Sequence, residues 1–291
     1  MRILVTGGAG QLGRELFDTA TAAGHEVRST TRAECDITSA AAVRAVLEDG
    51  NPEVVINCAA WTGVDAAESD SDAAFRVNAI GPRVLASACA LRDILLVQMS
   101  TDYVFDGTAT SPIDEWQRPD PRSTYGASKL AGEEEVRTLA RRHMVIRTSW
   151  LYGQGGPNFV LTILRAAAER PELRVVSDQL GCPTWTGHLA PALLAVIARD
   201  LPGTVHLTNS GVVSWHGFAE AIVAAGGRDT PVTPITTAEY PTAAHRPPYS
   251  VLDNRVCRML GETPLPRWQD GLQSYIAQLR DSGALDTARV P

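Results

Sequence analysis

The chain has 291 residues, is 44% hydrophobic and carries a formal net charge of −7. This length suits one large domain or two modest ones, and the acidic balance argues against a nucleic-acid binder, which needs a broad basic surface. No apolar run approaches the roughly 20 residues of a membrane helix, and no secretory signal pattern precedes the first apolar run. The five scattered cysteines form no CxxC pair and indicate reduced thiols. We therefore expect a cytoplasmic protein that binds neither nucleic acid nor membrane.

The first half of the chain alternates between strand and helix patterns. Apolar runs at 2–6, 25–30, 53–58, 94–100 and 144–150 predict strands, and helical patterns lie at 10–23, 39–50, 68–92 and 124–142. Strands that alternate with helices form parallel sheets through right-handed crossovers. The predicted fold is therefore α/β, a doubly wound parallel-sheet Rossmann fold.

The second half has a looser pattern. Helical patterns lie at 157–170, 187–199, 215–226 and 268–283, with short strand patterns at 173–177, 204–208 and 232–235. We expect residues 1–155 to form the dinucleotide-binding domain, with segments near 187–215 returning to it. Residues 156–291 are then expected to supply mainly a smaller, discontinuous C-terminal lobe that binds the substrate.

A glycine-rich turn, TGGAGQLG (6–13), joins the first strand to the first helix. Gly8, Gly10 and Gly13 satisfy the spacing GxGxxG, and Gly7, Gly10 and Gly13 satisfy GxxGxxG. Glycine at these positions permits a tight turn, close approach of the backbone to a pyrophosphate, and contact between helix and strand. The turn predicts a dinucleotide site.

The end of the second strand bears on the choice of cofactor. An acidic residue there would accept the ribose 2′-hydroxyl of NAD, but Arg32 follows two threonines, with Arg28 nearby. Arginine suits a 2′-phosphate, which favours NADPH over NADH. Glu34 weakens this inference. Asp36 either accepts a hydrogen bond from the adenine amino group or marks the start of the next helix.

The third strand ends in small residues, NCAA (57–60), followed by Trp61. Small side chains at the carboxyl end of a strand let a cofactor lie close to the backbone. Trp61 then either lines the cofactor site or anchors the core.

The strongest chemical signal is YGASK (125–129), which follows the strand-ending hydroxyls of Ser100 and Thr101. Lys129 is the only lysine among 26 basic residues. Tyr125 and Lys129 lie four residues apart and share a helix face. A neighbouring cation is expected to lower the pKa of the phenol, which would then donate a proton to a carbonyl oxygen as hydride arrives. Lys129 would also hold the nicotinamide ribose.

These motifs resemble the extended short-chain dehydrogenase/reductase family, and within it the enzymes that reduce dTDP-linked 4-keto sugars. The matching stretches are GGAGQLGREL (7–16), CDIT (35–38), NCAAWTGVDAAE (57–68), STDYVFDG (100–107), YGASKLAGE (125–133), RTSWLYG (147–153), NFV (158–160), DQLGCPTW (178–185) and RPPYSVL (246–252). The resemblance spans nearly the whole chain.

The resemblance implies NADPH- or NADH-dependent reduction of the C4 keto group of dTDP-4-dehydro-β-L-rhamnose to dTDP-L-rhamnose. Tyr125 would protonate the developing alkoxide, Thr101 would bind the same oxygen, and Lys129 would orient the ribose. The cofactor residues, including those of the motifs above, would be Gly7, Gly10, Gln11, Leu12, Arg32, Asp36, Ile37, Ala59, Ala60, Trp61, Asn78, Ser100, Tyr125 and Lys129. The substrate residues would be Thr101, Asp102, Tyr103, Trp150, Asn158, Gln179 and Arg246.

Some members of this family form a magnesium-bridged dimer through glutamates. Glu15 fits one such position, but Thr186, Gly187 and His188 supply no second carboxylate. We therefore expect a monomer or weak homodimer and no magnesium site. The six histidines likewise show no metal-ligand spacing.

Three alternatives stay open from the sequence: another sugar-nucleotide reductase, an epimerase that returns the hydride, or a non-catalytic NADP-binding regulatory subunit. The intact pair of Tyr125 and Lys129 disfavours the last of these, although fold alone does not fix function.

Overall fold

The computed structural model describes residues 1–200 and 202–284. The strands in chain order are β1 (Arg2–Thr6), β2 (Glu26–Thr30), β3 (Val54–Asn57), β4 (Leu95–Thr101), β5 (His143–Thr148), β6 (Leu151–Tyr152), β7 (Leu173–Val176), β8 (Leu180–Gly181), β9 (Thr184–Trp185), β10 (Gly203–His206), β11 (Val213–Ser214) and β12 (Val232–Ile235). The α-helices are α1 (Gln11–Ala22), α2 (Ala40–Gly50), α3 (Val64–Ser69), α4 (Ser71–Phe75), α5 (Gly81–Ala90), α6 (Thr124–Leu139), α7 (Phe159–Glu169), α8 (Thr186–Ala198), α9 (Trp215–Ala225), α10 (Arg255–Met259) and α11 (Trp268–Asp281).

The main sheet has six strands in the order β10-β5-β4-β3-β1-β2, and every neighbouring pair is parallel. The predicted doubly wound parallel sheet is therefore confirmed. The chain runs outward from β1 to β2 and then returns to the other side of β1 with β3. Such a reversal opens a crevice at the carboxyl ends of the strands, where ligands bind in this class of fold.

Helices cover both faces of this sheet. On one face Leu16 of α1 packs with Leu189 and Leu193 of α8 in a buried apolar cluster. On the other face Leu47 of α2 and Leu85 of α5 belong to a second cluster. The strands are buried on both sides, which explains why they appear in the sequence as continuous apolar runs rather than alternating ones.

A third apolar cluster lies in the second half of the chain. It joins α7, α9 and α11, with Phe218, Tyr275 and Ile276 among its fully buried side chains. Strands β7 and β12 pair in a separate two-stranded sheet. Within the same half, however, β10 joins the main sheet and α8 packs on α1. The division into two functional lobes at residue 155 stays a prediction.

The predicted helix at 68–92 is divided in the structure. Asp70 ends α3 and caps α4, accepting a hydrogen bond from the backbone N–H of Ala73 at 3.1 Å. A π-helical turn (Arg76–Ile80) then leads into α5, which has a proline in its first turn. Periodicity alone does not show such breaks, because the apolar face continues through them.

The sequence patterns also missed short elements that lie around the later loops, namely β6, β8, β9, β11 and α10. Each strand of this group has two residues, which is too short for a period to be recognised. Within residues 1–200 and 202–284, no helix combines the length and the hydropathy that crossing a membrane would require.

Candidate active site

A cavity of about 860 Å³ opens at the carboxyl ends of the central strands and extends to the aromatic side chains of α7 and α9. It brings together residues that lie far apart in the sequence. The predicted site residues that line it are Gly7, Gly10, Gln11, Leu12, Arg32, Asp36, Ile37, Ala59, Ala60, Trp61, Ser100, Thr101, Asp102, Tyr103, Tyr125, Lys129 and Trp150. Asn78, Asn158, Gln179 and Arg246 are not among the lining residues.

The glycine turn forms one end of the cavity. Gly7 has φ +71°, and a Cβ at this position would lie 2.6 Å from the backbone nitrogen of Ala59, so only glycine fits. Helix α1 starts at Gln11 without a side-chain cap, which leaves its first N–H groups for an anion. The Oε1 atom of Gln11 is buried and has no hydrogen-bond partner among the described residues. The glycine turn and the uncapped N–H groups of α1 fit the pyrophosphate of a dinucleotide, whereas the Gln11 oxygen, an acceptor, would take a hydrogen-bond donor instead.

The side chains after β2 differ in their availability to a ligand. Glu34 folds back onto Thr31 and accepts hydrogen bonds from its backbone N–H at 2.7 Å and its hydroxyl at 2.8 Å. Arg28 pairs with Asp49, away from the cavity. Arg32 lines the cavity with its side chain 84% exposed, held only by a 3.8 Å contact with Asp36. The guanidinium of Arg32 is therefore available to a 2′-phosphate.

Asp36 also has a structural contact of its own. Its Oδ1 accepts hydrogen bonds from the backbone N–H of Thr38 at 3.0 Å and from the Thr38 hydroxyl at 2.8 Å. These bonds hold the pKa of the Asp36 carboxyl below its ordinary value. Ser39, rather than Asp36, caps α2. Asp36 thus lies ionised at the cavity wall.

Tyr125 and Lys129 lie on the cavity face of α6, which starts after the cap residue Ser123. The ammonium of Lys129 donates a hydrogen bond to the carbonyl oxygen of Met99 at 2.7 Å. The Thr101 side chain lies beside the Tyr125 phenol at the cavity wall, and its hydroxyl donates a hydrogen bond to Asp102 at 3.0 Å. Ser100 instead donates its hydroxyl proton to Glu133 at 2.5 Å. Of the two strand-ending hydroxyls, Thr101 is the one placed beside the phenol.

The expected lowering of the Tyr125 pKa is wrong for this structure. Burial raises the pKa of Tyr125 above its ordinary value, and the nearby Asp102 and Tyr103 raise it further. Lys129 does not offset this, because its ammonium is turned to Met99 and burial lowers its own pKa to about 8. At neutral pH the phenol therefore carries its proton, as a proton donor must.

Asp102 lies directly beside this group. Its Oδ1 accepts a hydrogen bond from the Thr101 hydroxyl at 3.0 Å, whereas its Oδ2 is buried without a partner among the described residues. Burial raises the pKa of the Asp102 carboxyl to about 6. An unpaired buried carboxylate oxygen is costly unless a ligand supplies a donor. A contact between Asp102 and the substrate stays a prediction.

Asn78 holds the cavity wall from behind. Its Oδ1 accepts a hydrogen bond from the backbone N–H of Trp61 at 2.9 Å, and its Nδ2 donates to Trp61 and to the Ser128 hydroxyl at 3.1 and 3.0 Å. A Cβ at Gly132 would lie 2.0 Å from the Asn78 carbonyl oxygen, so α6 packs directly on this π-helical turn. Asn78 therefore joins Trp61 to the helix that carries Lys129.

The other three predicted ligands outside the cavity have structural contacts. Asn158 caps α7 and donates hydrogen bonds to Gly153 and Tyr275. Gln179 donates to Thr237 at 3.0 Å. Arg246 forms an ion pair with Asp65 and donates to the Tyr103 hydroxyl at 3.1 Å. These contacts give each side chain a structural role, and a direct ligand contact by these residues stays a prediction.

Several lining residues were missed by the sequence analysis, above all Trp215, Phe159 and Phe218. They lie at the start of α7 and in α9 and meet Trp150 across the cavity. In the sequence they resemble ordinary apolar positions of amphipathic helices, and only the tertiary fold shows that they face a cavity.

The structure also shows the surroundings of Glu15, the glutamate that fits a position in the magnesium-bridged dimer of the family. Glu15 accepts a long hydrogen bond of 3.5 Å from the Thr186 hydroxyl, while His188 contacts Asn209. Among residues 1–200 and 202–284, no three histidine, cysteine, aspartate or glutamate side chains cluster closely enough to hold a metal ion. The oligomeric state stays a prediction.

The fold and the site together define a nicotinamide-dependent oxidoreductase of the extended short-chain dehydrogenase/reductase type. The chain belongs to the family described as RmlD substrate binding domain, whose model matches residues 1–281. The resemblance inferred from the sequence is therefore confirmed.

Three relatives illustrate the similarity. A dTDP-4-dehydrorhamnose reductase of Streptomyces griseus is 44% identical over 278 residues, which cover 93% of this chain and 91% of the relative. A dTDP-4-keto-6-deoxy-D-glucose reductase of Streptomyces niveus is 39% identical, covering 93% and 95%. A crystal structure of dTDP-4-dehydrorhamnose reductase from Bacillus anthracis in complex with NADP is similar with a TM-score of 0.93 and 39% identity, covering 95% and 99%.

Proposed function

We propose that this protein reduces the C4 keto group of dTDP-4-dehydro-β-L-rhamnose to give dTDP-L-rhamnose, with NADPH or NADH as the reductant. The observation that carries the proposal is the placement of Thr101, Tyr125 and Lys129 together in one cavity that also contains the glycine turn. The names of the Streptomyces griseus relative and of the NADP-bound structure support the substrate and the cofactor.

When bound, the nicotinamide cofactor supplies the hydride that reduces the C4 carbon. The chain's own part is to deliver the proton to the keto oxygen. Tyr125 donates this proton from its neutral phenol, and the Thr101 hydroxyl orients the same oxygen. During the reaction the ammonium of Lys129 would turn from the Met99 carbonyl toward Tyr125 and stabilise the phenolate that forms, because an opposite charge nearby favours the ionised form.

The remaining cavity residues divide between the two ligands. Gly10, Gln11 and the first turn of α1 would hold the pyrophosphate, and Arg32 would bind a 2′-phosphate, which favours NADPH. On the other side, Asp102 offers an unpaired carboxylate oxygen to a sugar hydroxyl. Trp150 and Trp215, with aromatic neighbours from α7 and α9, offer flat surfaces for the nucleotide part of the substrate. Residues 156–291 would thus act mainly as the substrate-binding lobe.

The direct experiment follows absorbance of the reduced nicotinamide in the presence of purified protein and enzymatically prepared dTDP-4-dehydrorhamnose. We expect consumption of NADPH or NADH that depends on the sugar, with dTDP-L-rhamnose identified by NMR. An isomerised sugar without net cofactor consumption would instead indicate an epimerase. A folded protein that binds NADPH but consumes none would indicate a regulatory subunit, and either result would contradict the proposal.

A second candidate is reduction of a different dTDP-4-keto-6-deoxy sugar. The relative named dTDP-4-keto-6-deoxy-D-glucose reductase, 39% identical to this chain, favours it. The same proton donor would serve both reactions, which differ in the keto sugar that is bound and in the face of its C4 carbon that receives the hydride. Comparison of kcat/KM for the two keto sugars, with NMR assignment of the C4 configuration, distinguishes the candidates.

A further inference from the structure

A buried ionic cluster lies behind the catalytic pair. At its centre is Glu133, whose side chain is completely buried. Arg147 donates to this carboxylate from Nε at 2.9 Å and from Nη2 at 2.7 Å, and Arg137 donates to it at 2.7 Å. The Ser100 hydroxyl is a further donor, at 2.5 Å. The function described so far does not use this cluster.

The backbone brings the cluster and the active site into contact. Ser100 and Arg147 are partners in the register of β4 and β5, so Glu133 of α6 joins two neighbouring strand ends. Glu133 also follows Lys129 by four residues, one turn along the same helix. The carboxylate therefore lies on the helix face that carries the catalytic lysine, behind the cavity wall.

The surroundings of Lys129 contain few charges that could hold its ammonium. The Lys129 ammonium contacts the carbonyl oxygen of Met99 in β4. It also faces the thiol of Cys58 in the turn after β3. Burial raises the pKa of this thiol to about 12, so the thiol stays protonated. Burial lowers the pKa of Lys129 itself to about 8, and Glu133 is the largest influence that opposes this. The π-helical turn packed against this part of α6 contributes Asn78, which is neutral, as is Ser128 of α6 itself.

On its other side Glu133 faces two arginines and one histidine. Burial lowers the pKa of His206 of β10 to about 3, so this ring is neutral at physiological pH. Arg137 is partly exposed and also donates to Thr204, whereas Arg147 is buried and paired with Glu133. Hydrogen bonds from Arg147 hold the pKa of Glu133 below its ordinary value despite burial. The carboxylate is thus ionised at the pH at which the enzyme works.

We propose that Glu133 is a positioning residue for the reaction, whose buried negative charge keeps the ammonium of Lys129 protonated and whose bond to Ser100 turns that hydroxyl away from the keto oxygen. The inference rests on the proposed function, since it gives Glu133 a part in that reaction. A desolvated ammonium loses its proton more readily without a nearby counter-charge, and an uncharged lysine would no longer stabilise the phenolate of Tyr125.

The sequence offers an unusually direct test, because Lys129 is the only lysine in the chain. Protein grown with ¹³Cε-labelled lysine gives a single lysine resonance, and its chemical shift against pH reports the pKa of Lys129 without turnover. We expect a wild-type midpoint near 8. In Glu133→Gln the midpoint should fall by roughly one unit or more, and the alkaline limb of kcat/KM should move to lower pH with it.

Two control variants separate charge from packing. Arg137→Gln removes a neighbour of Glu133 but keeps its carboxylate, and should leave the Lys129 midpoint close to that of the wild type. Glu133→Asp keeps the charge and should return the midpoint toward the wild-type value. A folded Glu133→Gln protein with an unchanged midpoint would overturn the proposal.

Glu133→Gln leaves the buried Arg147 without its partner and can therefore prevent folding. The double variant Glu133→Gln with Arg147→Gln replaces the ion pair with two amides. Its Lys129 midpoint is compared with that of Arg147→Gln alone, so that only the Glu133 charge differs, and equal midpoints in these two proteins would overturn the proposal. Because the titration needs no substrate, failure of the reductase assay and failure of this inference are separate results.

Discussion

Trp150 and Trp215 stack face to face, with 3.4 Å between the ring centroids and 5° between the ring planes. Trp150 adopts the left-handed backbone conformation, with φ +46°, and its indole packs so closely on Gly181 that a Cβ there would lie 2.3 Å from the ring. A bulky residue rarely takes this conformation without a compensating contact. The fold therefore fixes an aromatic surface at the end of the cavity that we propose binds the substrate.

Replacement of Trp215 should weaken sugar-nucleotide binding selectively. Trp215→Ala removes one ring of the stack, and we expect the KM for the dTDP-sugar to rise about fivefold, in line with ~1 kcal/mol for an aromatic contact. The Kd for NADPH should stay unchanged, because the cofactor residues lie at the other end of the cavity. Trp116→Ala, at an exposed tryptophan that packs on Arg255, is the matched control. Equal effects of the two variants would contradict this assignment.

Asp102 should lower the stability of the protein at neutral pH. Its folded pKa of about 6 lies above the unfolded value of about 3.9, so the native state holds the proton more tightly. The stabilisation that the protonated carboxyl gives the native state is therefore fully present below about pH 4 and is lost as pH rises through about 6. Asp102→Asn should raise the free energy of unfolding at pH 7 by about 3 kcal/mol relative to the wild type, with the difference vanishing near pH 4.

The control for Asp102 is Asp106, an aspartate whose pKa is shifted in the opposite direction. Hydrogen bonds from Thr108 hold the pKa of Asp106 below its ordinary value. Asp106→Asn should therefore lower stability at neutral pH, and the loss should disappear on acidification. Denaturant unfolding measured from about pH 2 to 7 checks both variants, because the loss in Asp106→Asn disappears only below the ordinary aspartate pKa of about 3.9. A difference for Asp102→Asn that does not change with pH would contradict the assignment.

Arg32 should set the preference between the two nicotinamide cofactors. Arg32→Ala should reduce kcat/KM for NADPH by about 10- to 100-fold, the scale of a charge-assisted hydrogen bond, and leave that for NADH nearly unchanged. Arg28→Ala removes an arginine that is paired with Asp49 and should change neither value. An unaltered ratio of NADPH to NADH activity in Arg32→Ala would show that the 2′-phosphate is bound elsewhere.

The sequence predicted the sheet and the cofactor turn well, because both leave local signals. The turn at Gly7 needs a residue without a side chain, and the buried strands need continuous apolar runs. The position of Lys129 was equally clear, since a single lysine in an arginine-rich chain stands out.

The sequence did not predict how the site residues interact. The pKa of Tyr125 depends on burial and on whether Lys129 turns to the phenol or to the Met99 carbonyl, which no spacing encodes. The aromatic wall and the cluster around Glu133 likewise join helices and strands that are distant in the chain. The contacts of Asn158 and Gln179 illustrate the same limit, because a polar residue in a family motif can cap a helix or join two loops.

The most direct test of the central claim compares the wild type with Tyr125→Phe, using NADPH and dTDP-4-dehydrorhamnose. We expect the Kd for NADPH, measured by fluorescence titration, to stay within a few-fold, because the hydroxyl acts chiefly in the transition state. The rate of NADPH oxidation in a single turnover should fall by about 10²- to 10⁴-fold, the contribution of a general acid. A rate close to that of the wild type in a folded Tyr125→Phe protein would show that another group delivers the proton.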